Sequence, residues 1–62
     1  MILYNLYLVL YDEPIKVFDN AAQRTVYKGS SEEMPDELMN ALVHDITIAH
    51  EDNRTYILIN IN

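Results

Sequence analysis

The stretch ILYNLYLVLY at residues 2–11 decides how the rest of the chain is read. Read as a strand, it alternates side chains between two faces. Ile2, Tyr4, Leu6, Leu8 and Leu10 then share one side, and Leu3, Tyr7, Val9 and Tyr11 share the other, interrupted by Asn5. A strand apolar on both faces belongs inside a sheet that is covered twice. The segment is about half the ~20 residues that a membrane-spanning helix needs, and it has no basic flank or small-residue cleavage site. No signal or spanning segment is therefore expected. Asp12-Glu13-Pro14 closes the strand, because proline donates no ladder hydrogen bond and restricts its predecessor.

Outward from this stretch, residues 15–18 and 24–28 read as two further strands joined by the polar loop 19–23, and Gly29 ends the run. Helix signals follow. Ser30 and Glu33 have capping-box spacing, and Pro35 suits a first helical turn. Glu32, Glu33, Asp36 and Glu37 complement the positive end of a helix dipole, while Met34, Leu38, Ala41 and Leu42 make a short apolar stripe. This predicts a helix of two to three turns ending near His44. Residues 46–49 and 56–61 read as strands, with the loop 50–54 between them. The expected fold is α+β: a single compact domain over residues 1–62, with a small antiparallel or mixed sheet and one short helix in the order β-β-β-α-β-β. One short helix cannot cover both faces of such a sheet, so the second face is expected to pack on another copy as a symmetric homodimer. A sheet curled over itself is the competing arrangement.

Composition narrows the function. A chain of 62 residues is one small domain, and small domains are marginal unless something staples them. The absence of cysteine removes disulfides and thiolate metal sites. Half the residues are apolar, too many for a disordered chain of this charge. Ten acidic residues against four basic give a net charge of −6, which disfavours nucleic acid and anionic membranes as direct partners. A protein with a basic surface is the natural complement. Simple solubility is the plainer explanation of the same charge. The location expected is the cytoplasm.

Catalytic constellations are scarce. His44 and His50 have carboxylates beside them, but their spacing matches no metal motif. Ser30 and Ser31 sit where caps are needed, and a single glycine excludes a phosphate-cradling loop. The expectation is a non-enzyme without cofactor or metal. Tyrosine is more suggestive. Tyr4, Tyr7, Tyr11, Tyr27 and Tyr56 all fall on predicted strands. Tyrosine suits interfaces because it buries a ring and keeps a polar tip, so Tyr7, Tyr11 and Tyr56 are candidate partner contacts. Cross-strand packing is the alternative role.

From Val17 onward a wider pattern emerges in Tyr27-Lys28-Gly29, Met34-Pro35-Asp36-Glu37-Leu38, residues 43–46 and the aliphatic run 57–61. It resembles small uncharacterised proteins of Gram-positive phages and conjugative elements. The resemblance carries structural residues and no catalytic position, and some members begin with a helix where this chain reads as a strand. It implies an inhibitor of a bacterial host's defence or nucleic-acid-binding protein, anti-CRISPR-like or DNA-mimic-like. Glu32, Glu33, Asp36 and Glu37 would be the acidic contributors, joined by Glu51 and Asp52. The alternative is a structural or regulatory accessory subunit that dimerises or docks through an apolar sheet face.

Overall fold

Two antiparallel hairpins meet along a parallel seam. In the computed structural model, which describes residues 1–62, β1 (Pro14–Asp19) pairs with β2 (Arg24–Ser30), and β3 (Val43–Glu51) pairs with β4 (Arg54–Ile61). The seam joins β1 to β4 in parallel, so the sheet runs β2-β1-β4-β3. The result is a small mixed sheet of four strands with one short helix, α1 (Leu3–Tyr7), placed first in the chain.

Both hairpin turns follow from local chemistry. In the first, the Asp19 carboxylate accepts from the backbone N–H of Ala21 and Ala22, an Asx-type turn. In the second, Asp52 and Asn53 both adopt positive φ, 49° and 64°. That is the conformation a two-residue type I′ turn demands, and Asp and Asn tolerate it best after glycine. The expected loop over 50–54 therefore tightens to two residues, and the strand expected over 46–49 grows at both ends.

The seam builds the core. Its register sets Ile15 beside Ile57 and Val17 beside Ile59, so one face of the two central strands is aliphatic. Ile15, Val17, Ile59 and Ile61 are fully buried there, with Leu3 and Met34 laid over them.

Two expectations are corrected. Residues 2–11 do not form a central strand. Ile2 makes a single bridge to Leu42, and the chain then turns into α1. The same residues hold a second periodicity: Leu3, Leu6, Tyr7 and Leu10 recur at helical spacing, and these four pack against the core. The segment lies across the sheet, with Leu3 N–H donating to the Ala41 carbonyl and Tyr4 N–H to that of Met39. The second correction concerns residues 30–44, which form no α-helix. They carry two short 3₁₀ turns, Ser31–Glu33 and Asp36–Leu38, with Met34 and Pro35 extended between them. Pro35 forces this break, since its ring drives Met34 out of helical backbone space and it donates no hydrogen bond. Ser30 does cap, accepting from Glu32 N–H, but it caps a single turn. The order is thus helix-first, α-β-β-β-β, in place of β-β-β-α-β-β.

Candidate functional site

The ends of the strands gather the acidic residues. β1 begins, β2 and β3 finish, and β4 begins at one end of the sheet, as the pairs Pro14 with Ser30 and Glu51 with Arg54 require. Asp12 and Glu13 enter β1 there, Glu32 and Glu33 leave β2 there, and Asp52 sits in the turn after β3. All five side chains are exposed. The backbone around them is tied down. Ser31 is buried: its N–H donates to the Glu13 carbonyl at 2.8 Å, and its hydroxyl accepts from Glu13 N–H at 2.9 Å. The Ser30 hydroxyl donates to the Asp12 carboxylate at 2.5 Å. The chains carrying Asp12, Glu13, Glu32 and Glu33 are therefore stitched side by side.

Glu51 behaves differently. Its carboxylate reaches over the sheet to ion-pair with both Lys16 and Lys28, 2.9 Å from the latter. Hydrogen bonds from Lys16 and then Lys28 hold the Glu51 carboxyl below the usual carboxylate range. The hydrogen bond to Glu51 likewise raises the Lys28 ammonium, which rests 5.0 Å from the centre of the Tyr56 ring. These two ion pairs are the only ones in the molecule and both belong to Glu51, while Asp52 lies near enough to Lys28 to help raise its ammonium.

Of the acidic residues singled out from sequence, Glu32, Glu33 and Asp52 share the acidic end. Asp36 and Glu37 are exposed on the second 3₁₀ turn, past Pro35. The tyrosines scatter. Tyr7 packs half-buried on the core and stacks on Tyr4 at 6.2 Å, and Tyr56 is buried beneath Lys28. Tyr11 is 80% exposed in the connection from α1 to β1. The fifth, Tyr27, donates its hydroxyl to the Ser30 carbonyl, and burial followed by nearby Glu33 pushes its pKa up. Tyr4, Tyr7 and Tyr11 thus lie outside the strands on which they were expected.

In the sequence Asp12 and Glu13 read only as a strand breaker. The signal for more was there: two acids immediately before a proline, which keeps the chain extended and the side chains at the surface. Beside them, Asp12, Pro14, Lys28, Gly29, Ser30 and Arg54 line an open depression of about 560 Å³. Gly29 is needed at its wall. Its φ is +155°, and a Cβ there would meet the Tyr27 hydroxyl at 3.1 Å.

His44 and His50 sit near opposite ends of β3, with His50 Nδ1 3.0 Å from the Thr55 hydroxyl. No three histidine or carboxylate side chains are brought together in a metal-holding group. No helix is long and apolar enough to cross a membrane. The chain matches no protein family, no curated protein and no solved structure.

Proposed function

We propose that this protein is a small acidic, non-catalytic binding module that presents the acidic end of its sheet to a basic surface on a host protein. Within that reading it acts as a phage or mobile-element inhibitor of a defence or nucleic-acid-binding protein in the bacterial cytoplasm. The observation that carries it is the grouping of Asp12, Glu13, Glu32, Glu33 and Asp52 at one end, none of them in an ion pair. Unpaired carboxylates on a stitched backbone hold negative potential in a fixed pattern, as a nucleic-acid backbone does. Asp36 and Glu37 extend the charge along the crossing segment, and Tyr11 offers an exposed ring.

The accessory-subunit reading is favoured by a different observation, the exposed Ile46 and Ile48 on β3. Charge reversal separates the two. Glu32, Glu33 and Asp52 replaced by lysine should abolish capture of basic nucleic-acid-binding proteins from a Gram-positive lysate. Raising salt should do the same to the unaltered protein, since exposed charges are screened beyond about 10 Å at 0.1 M. Capture that survives both reversal and salt would refute the acidic reading.

A further inference from the structure

Beyond Val43, whose N–H donates to the Met1 carbonyl, the outer edge of β3 is unguarded. An edge strand presents unpaired N–H and C=O groups, and proteins usually blunt it with lysine, proline or brevity. β3 runs nine residues, contains neither lysine nor proline, and exposes Ile46 and Ile48 at 43% and 54%. Its two acidic side chains are engaged within their own sheet. Asp45 accepts from the Asn60 amide at 2.5 Å, and Glu51 is held by Lys16 and Lys28. The opposite edge, β2, carries Arg24 and Lys28.

We infer that a second copy of this chain adds to this edge, β3 against β3 in antiparallel fashion, about a two-fold axis through Thr47. The sheet then runs through eight strands, β2-β1-β4-β3 and its mirror order in the partner. Register selects the centre. A two-fold through Thr47 sets Ile46 against Ile48 of the other copy, twice, and sets Asp45 against Ala49. All four isoleucines then meet on the face that carries Ile57 and Ile59, their neighbours across β4. Centring on Asp45 would oppose two identical carboxylates, and centring on Ile48 would oppose Asp45 to Glu51. Centring on Ile46 sets Ile48 against His44, and centring on Ala49 sets it against His50. Like charges directly opposite one another destabilise, whereas paired β-branched residues stabilise. The irregularity between Val43 and Asp45 also lies outside the window 45–49 that the Thr47 centre uses.

This pairing does not rest on the acidic reading, and it leaves the acidic ends of the two copies pointing in opposite directions. The two proposals therefore fail separately.

The chain has no cysteine, so a single introduced thiol reports the register directly. Residues opposite one another in an antiparallel pair have Cα atoms about 4.5–5.5 Å apart, inside the range of about 4.4–6.8 Å a disulfide spans. Under mild oxidation Thr47→Cys should cross-link several-fold faster than Asp45→Cys or Ala49→Cys alone. In an equal mixture of those two variants the mixed dimers should cross-link as Thr47→Cys does, and the unmixed ones should not. By sedimentation the unaltered protein should approach twice the monomer mass as concentration rises, and Ile46→Lys with Ile48→Lys should stay monomeric with an unchanged circular dichroism spectrum. Equal cross-linking at the three positions, or a monomer throughout the concentration series, would overturn the inference.

Discussion

At the residue scale, Glu51 carries more of the fold than its place beside a turn suggests. It is the one carboxylate that holds cations, and its two lysines come from β1 and β2, on the far side of β4. Its pKa is lowered in the folded state, with the Lys16 hydrogen bond as the largest cause. A group so depressed contributes stability above its unfolded pKa and loses it as pH falls through the folded value. Glu51→Gln should therefore melt at lower temperature than the parent at neutral pH, with the two melting points converging in strong acid. Thermal unfolding at pH 7 and again near pH 3 reads this directly. A gap that persists unchanged into acid would assign the loss to packing and not to charge. From sequence, Glu51 looked like one more member of an acidic surface. Nothing along the chain marked its partners, because Lys16 lies 35 positions away and meets it only through the parallel seam.

At the scale of elements, legibility followed locality. All four strands are readable, β3 through its middle at residues 46–49, because each combines β-branched or aromatic residues with a turn chemistry that reports itself: Asp19 at one hairpin, Asp52-Asn53 at the other. Residues 2–11 read as a strand because two periodicities coexist in an almost wholly apolar run, while the stripe of Leu3, Leu6, Tyr7 and Leu10 governs the fold. The helix expected after Ser30 failed for the opposite reason. Its capping signals are real, but Pro35 falls after the first turn and not within it. The remaining placement is tertiary, since α1 is held by backbone bonds to Met39 and Ala41 and by the burial of Leu3. Leu3 is fully buried against the seam. Leu3→Ala should destabilise by about 2–5 kcal/mol, the range for truncating a packed leucine, measurable by urea unfolding. If residues 2–11 instead formed a strand buried on both faces, Tyr4→Ala would cost as much. With Tyr4 44% exposed, where Leu3 is fully buried, it should cost less.

At the scale of the whole molecule, charge and stability oppose one another. Net charge is −6, and only Glu51 among the carboxylates forms ion pairs. The candidate site was half legible at this scale: the acidic excess is plain in composition, but the meeting of Asp12 and Glu13 with Glu32, Glu33 and Asp52 depends on strand ends brought together by the fold. Gathering like charges at one end costs folding energy that an unfolded chain avoids by spreading them out. Small domains have little stability in reserve to offset such a cost. Salt screens the repulsion, and it also screens the exposed pairs of Glu51 with Lys16 and Lys28. These two effects have opposite signs, and the larger number of uncompensated carboxylates decides the balance. Raising sodium chloride from about 10 mM to 200 mM, across which the screening length falls from about 30 Å to under 10 Å, should raise the melting temperature at pH 7. In Glu51→Gln the pairs are gone and the repulsion is smaller by one charge, so only the stabilising response to salt survives. A melting temperature that falls with salt in both proteins would mean that the acidic end is not a site of stored repulsion, and would remove the electrostatic basis for assigning it to a basic partner.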